Sequence, residues 1–134
     1  MYSKEIIDLS FYRLNKAKRD LGDAQSTLKL GMYDNAANRS YYAIFHSARA
    51  VLALDGKDYK KHSGVISNFQ KDYIKTGVFD RTMSNIIKSA FDIRNETDYE
   101  DFYVVPEEDV IRQVEEAEIF VKTVEQYIVR KTGI

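Results

Sequence analysis

One arginine stands where the surrounding pattern asks for an apolar side chain. Met83, Ile87, Ala90 and Arg94 follow one another at helical spacing, so they fall on one face of a helix. Three of them are apolar. The fourth carries a guanidinium, which cannot shed its charge by losing a proton. Arginine is rarely buried without a partner, so a carboxylate, a partner chain or a ligand must answer Arg94. Asp98 comes round to almost the same face one turn later. One reading is structural: an Arg94–Asp98 pair that closes the helix end, with Asn95 as its cap. The other is an anchor for phosphate, because a guanidinium fork bonds two oxygens at once. Asn95 and Tyr99 would then be polar helpers.

Other chemistry has less support. The chain has two histidines, His46 and His62, and no cysteine. There is no His-Glu-x-x-His, so no metal site is expected. His46 lies in the apolar run Tyr41-Tyr42-Ala43-Ile44-Phe45-His46, which reads as a core or interface histidine bonded to a neighbour. His62 reads as the mark of a helix start. Gly56-Lys57 lacks the spacing of a phosphate-binding loop, and no Gly-x-Gly-x-x-Gly occurs. No cofactor is expected. Ser63 and Ser67 have no evident base to activate them. Lys57, Lys60 and Lys61, followed by Lys71 and Lys75, make a modest positive patch. If RNA lies there, Tyr59 and Tyr73 are the rings available for stacking. Glu115, Glu116 and Glu118 read as a solvated helix face.

The elements that must carry these residues are helices. The chain's 134 residues suit a single domain, 1–134, large enough for one core. A formal net charge of -1 gives no global pull toward nucleic acid, so any basic surface must be local. The absence of cysteine excludes disulfides and thiolate metal sites. No apolar run is long enough to span a membrane, and the first residues lack a signal-peptide core. A cytoplasmic location is expected. The single proline suits long uninterrupted helices.

Five helices are predicted. The first spans about Ser3 to Leu30, with Ile7, Phe11, Leu14, Ala17, Leu21, Ala24 and Leu28 on one face and Gly31 as its stop. The second runs from about Tyr33 to Leu54. Its overlapping stripes, through Ala37, Tyr41, Ile44, Ala48 and Val51 and through Phe45 and Leu52, make it central. Lys57 to Lys61 reads as a mobile basic loop. A short third helix starts at His62-Ser63, with Ser63 as N-cap, and closes at Gly77. The fourth runs from about Asp80 to Thr97, and Tyr99 to Val105 reads as a loop. Pro106 opens the fifth, where proline costs nothing. Glu107, Glu108 and Asp109 in its first turn and Arg130 and Lys131 in its last match the helix dipole. Val110, Val114, Ala117, Val121, Val124 and Ile128 form its packing seam. Short connections between such helices imply an all-α, up-and-down bundle.

Four segments resemble the HEPN superfamily, in particular its small stand-alone archaeal and bacterial branch. They are Tyr33 to His46; His62-Ser63-Gly64-Val65-Ile66 with Tyr73 to Gly77; Ile93-Arg94-Asn95-Glu96-Thr97-Asp98-Tyr99; and the helix from Pro106 with Glu115, Glu116, Ala117, Phe120 and Val121. They cover nearly the whole chain in the family's order. The resemblance implies a helical bundle that dimerises. Many HEPN proteins resemble metal-independent ribonucleases whose site is an arginine, often followed by a polar residue, with a histidine four to six residues on. Arg94-Asn95 matches the first half of that motif. Asp98-Tyr99-Glu100-Asp101 stands where the histidine is expected. Arg39 and His46 fit the spacing formally, but on the second helix. Relatives are often paired with a minimal nucleotidyltransferase in toxin–antitoxin-like systems. In some, that enzyme modifies a tyrosine near the arginine motif, which makes Tyr99 or Tyr103 the candidates here.

Three readings follow. The first is a homodimeric partner of a nucleotidyltransferase that binds nucleotide or RNA through Arg94, Asn95, Asp98 and Arg39, with little catalysis of its own. The second is a metal-independent endoribonuclease toxin using Arg94 with His46 or Tyr99. The third is a structural helical bundle.

Overall fold

The computed structural model describes residues 1–134 and contains helices and connecting turns only. Helix α1 spans Lys4–Lys29, α2 Tyr33–Leu54, α3 His62–Phe69, α4 Arg81–Tyr99 and α5 Glu107–Thr132. The all-α bundle expected from the periodicity is the fold.

The Ser3 side chain accepts a bond from the Ile6 amide and caps α1. Gly31 turns the chain with φ of 74°, a left-handed conformation that glycine adopts without steric cost. Helices α1 and α2 then pack along each other and share the largest interface in the molecule. Helix α2 is buried over most of its circumference, and α1, α3, α4 and α5 all lie against it. The α5 seam is buried along its whole length, from Val110 to Ile128. Tyr41, Ile44, Phe69, Phe120 and Ile128 are among the side chains closed off from solvent.

Several local expectations are corrected. Helix α3 begins at His62 itself, with Lys61 in the cap position and no side-chain cap bond, so Ser63 is not the N-cap. After Phe69 the helix widens into one π turn, Gln70–Ile74, sealed by the Lys75 amide on the Gln70 carbonyl at 3.0 Å. Helix α4 runs through to Tyr99, because the Glu100 amide still reaches the Glu96 carbonyl at 2.9 Å. Asn95 is therefore inside the helix and caps nothing. The basic loop before α3 is tethered rather than loose: Lys57 pairs with Asp72 at 2.9 Å, and Asp58 is held by two arginines. Tyr73 is buried and bonded to Asp55, so it cannot offer its face to a base.

Candidate functional site

Arg94 is carried to the last turns of α4 by the stripe that buries Met83, Ile87 and Ala90 against the core. Its Nε lies 3.4 Å from Asp98 Oδ2, the partner the sequence pointed to. The arginine side chain keeps 22% exposure and Asp98 keeps 43%, so the pair is not sealed. A second contact could not be read from spacing. The guanidinium sits over the ring of Tyr41 on α2, 5.4 Å from its centroid. A carboxylate and an aromatic face thus hold the arginine in place.

Tyr41 links Arg94 to a histidine. The Tyr41 hydroxyl is 2.8 Å from His62 Nδ1, at the first residue of α3. Either ring tautomer satisfies this bond. Burial pushes the Tyr41 hydroxyl well above the usual tyrosine range, so it stays protonated. His62 also stacks on Phe45, with centroids 4.0 Å apart and planes 23° from parallel. Burial lowers the tendency of His62 to protonate, and the nearby Arg94 and Arg49 guanidiniums lower it further. The imidazole is therefore neutral near pH 7.

Arg94 and His62 open on a surface cleft of about 300 Å³, lined also by Lys60, Lys61, Ser63, Phe91, Asn95 and Tyr99. Tyr99 stands at the rim, 77% exposed. Arg94 and Asp98 also border a much smaller cavity of about 30 Å³ toward Ala37, Val105 and Gln113. Chemically, the cleft offers one oriented guanidinium, two lysines, a neutral imidazole with one nitrogen held, and an exposed ring.

Comparison with known proteins places the chain in a family. The HEPN domain profile matches residues 11–127. A UPF0332 protein of Thermotoga maritima is 33% identical over 128 residues, covering 96% of each chain. A UPF0332 protein of Archaeoglobus fulgidus is 34% identical over 110 residues, 82% of this chain and 87% of that one. A Methanocaldococcus jannaschii protein named provisionally as a toxin is 28% identical over 130 residues, 97% of this chain and 86% of that one. This chain belongs to the HEPN family.

Within this HEPN bundle the remaining candidates occupy other places. Arg39 and His46 face α1, not the Arg94 cleft. Arg39 Nη1 pairs with Asp20 Oδ1 at 3.2 Å, and His46 Nε2 lies 3.9 Å from Asp20 Oδ2. Arg39 also covers the ring of Tyr42 at 5.4 Å. His46 is buried as its apolar context suggested, but the expected bond to a neighbour is missing: Nδ1 has no hydrogen-bond partner and Nε2 only approaches Asp20. Burial, with Lys16 and Arg49 nearby, pulls its pKa down to about 4. Burial raises Asp20 in the opposite direction, and Arg39 offsets part of that. Tyr103 lies half-buried beside Glu96 and Arg112, in a different surface depression from the one Tyr99 borders. The nearby Glu96 carboxylate raises its hydroxyl above the ordinary range.

Sequence reasoning assigned no functional role to Tyr41 or His62. They are 21 residues apart, and only the packing of α3 across α2 joins them. The one available signal was that Tyr41 is a polar-tipped ring at a core position, which needs a hydrogen-bond partner when buried. Arg13, Arg49 and Asp58 were also passed over. Arg13 Nη2 and Arg49 Nη2 reach the two oxygens of Asp58 at 3.3 and 3.2 Å.

Proposed function

We propose that this HEPN protein binds a phosphate-bearing nucleotide or RNA in the Arg94 cleft. We place it in a toxin–antitoxin-like pair, as a homodimer partnered by a minimal nucleotidyltransferase. The observation that carries the binding reading is the setting of Arg94. Its guanidinium is oriented by Asp98 and the Tyr41 ring and stays open to a cleft that also presents Lys60, Lys61 and Asn95. A purely structural arginine would be enclosed by its carboxylate. This one keeps donors free for the paired oxygens of a phosphate. The provisional toxin names of two relatives support the toxin-like setting. Fluorescence anisotropy with labelled uridine monophosphate and a labelled oligouridylate tests the binding. Arg94→Gln should lose both ligands while keeping the wild-type melting temperature to within a few degrees. Equal binding by the variant would refute the reading.

A second reading, metal-independent RNA cleavage, is favoured by His62. The family's histidine is missing after Arg94, but His62 enters the same cleft from α3 with its Nδ1 engaged by Tyr41. When Nδ1–H donates to the Tyr41 oxygen, the lone pair on Nε2 is free to take a proton. In such a step His62 removes the proton of a ribose 2′-hydroxyl. The 2′-oxygen bonds to the adjacent phosphorus while Arg94 holds the non-bridging oxygens. The bond from phosphorus to the 5′-oxygen breaks, and the leaving oxygen takes a proton from water. A cyclic phosphate and a 5′-hydroxyl result, and the imidazolium returns its proton to solvent. His46, buried beside Asp20, and Tyr99, out at the exposed rim, are poorer candidates for that proton. RNA cleavage in the presence of a chelator, lost in His62→Gln but retained in His46→Gln, is the expected outcome. Cleavage unaffected by His62→Gln would remove this reading.

A further inference from the structure

Two guanidiniums converge on one loop carboxylate beside this cleft. Arg13 on α1 is buried, with its side chain only 9% exposed, and its Nη1 donates to the Arg49 carbonyl at 3.3 Å. Its other terminal nitrogen and that of Arg49 take one Asp58 oxygen each. Asp58 is 60% exposed, and apart from the arginines it accepts only the amide of Tyr59. One carboxylate thus serves two cations, and the buried Arg49 Nε has no partner at all. The pair offers more donors and more positive charge than Asp58 satisfies. Arg13 and Arg49 oppose each other's charge, which an anion richer in oxygen would relieve.

The position of this pair relative to Arg94 is set by His62. His62, which lines the Arg94 cleft, stacks on Phe45, and Phe45 lies one helical turn before Arg49 on α2. The loop that carries Asp58 continues directly into Lys60, Lys61 and His62, which line the Arg94 cleft.

We propose that Arg13 and Arg49 form a second phosphate seat, held in the free protein by the Asp58 carboxylate, so that the ligand is a strand with at least two phosphates rather than a single nucleotide. This rests on the reading that Arg94 takes the first phosphate. Asp58 acts as an internal competitor: a phosphate of the strand displaces it and takes its two terminal N–H partners. The exposure of Asp58 makes this exchange cheap, since solvated ion pairs contribute little. The buried Arg13, by contrast, requires an anion at all times.

The test uses the same two labelled ligands, uridine monophosphate and a short oligouridylate, with Asp58→Asn, Arg49→Gln and Arg94→Gln. Asp58→Asn removes the competitor. It should tighten oligouridylate binding by about threefold or more and leave the mononucleotide unchanged. Arg49→Gln should weaken the oligouridylate by about tenfold, the effect of one lost charge-assisted contact. It should also flatten the plot of log K against log salt by about 0.7, the value of one single-strand phosphate. Asp58→Asn also takes the anion from the buried Arg13, so each variant's melting temperature is read beside its affinity. Arg49→Lys, which keeps the charge but not the guanidinium fork, should still weaken the oligouridylate and reports if the other variants fold poorly. Unchanged or weaker oligouridylate binding by Asp58→Asn overturns the second seat. If Arg94→Gln alone abolishes both ligands, the first seat stands without the second. If Arg94→Gln binds normally while Asp58→Asn tightens and Arg49→Gln weakens the strand, the second seat stands and the Arg94 reading falls. Failure of the wild type to bind either ligand overturns both.

Discussion

Replacing Tyr41 by Phe isolates the contact that joins α2 to His62. The ring remains, so its packing in the core, the Arg94 guanidinium above it and the neighbouring stack of Phe45 on His62 are all preserved. Only the hydroxyl goes, and with it a 2.8 Å bond to His62 Nδ1. A net intramolecular hydrogen bond contributes about 1 kcal/mol, and leaving a buried partner unmet costs about 1–3 kcal/mol. His62 is partly exposed, so water can reach Nδ1 in part, and the expected loss is about 1–2 kcal/mol. For a chain of this size that is a fall in Tm of roughly 3–8 °C. The imidazole should also lose the fixed partner of its Nδ1. Nitrogen-15 NMR of the two His62 ring nitrogens should move toward the averaged pattern of a free histidine, while the His46 resonances stay in place. Mononucleotide binding should remain within about twofold, because Arg94 and its aromatic support are untouched. A variant with wild-type Tm and unchanged His62 resonances would refute the reasoning, since the hydroxyl would then be holding nothing.

Further outcomes are expected. His46 has a folded-state pKa of about 4, below its ordinary value of 6.5. The folded protein thus resists its protonation, so this contribution to stability is complete above pH 6.5 and is lost as pH falls from there toward 4. The loss attributable to His46 is roughly 3 kcal/mol at most, because each tenfold fall in proton affinity is worth about 1.4 kcal/mol. Urea unfolding of His46→Leu across that window should give a flatter pH dependence than the wild type, tempered by Asp20, Lys16 and Arg49 around the site. Phe120→Ala, on α5 and closed to solvent against Phe69, should cost about 3–5 kcal/mol in chemical denaturation. Gly31→Ala forces a Cβ onto a backbone φ of 74° and should cost about 1 kcal/mol by the same measurement.

How far the sequence reached differs from place to place. The helices were legible because an apolar stripe of period 3.6 has few other uses: the seam from Val110 to Ile128 had to be buried, and it is. Gly31 marked the end of α1 because glycine alone adopts its left-handed φ at no cost. Element ends were less legible where backbone bonding decides them. Asp98 and Tyr99 prolong α4 because the Glu100 amide still finds a carbonyl, and Gln70–Ile74 widen into a π turn that no residue type announces.

The Arg94–Asp98 pair was readable from the sequence alone, because partners one turn apart are neighbours by the geometry of the helix. The sequence likewise determined that Arg94 carried an unanswered charge and that no histidine followed it. Only the tertiary structure decided what else answers that charge. Tyr41, His62 and the Arg13–Arg49–Asp58 group come from α1, α2, the loop into α3 and α3 itself, and nothing in their spacing along the chain relates them. Their meeting is fixed by how four helices pack around α2, a non-local result that depends on every side chain in the core at once.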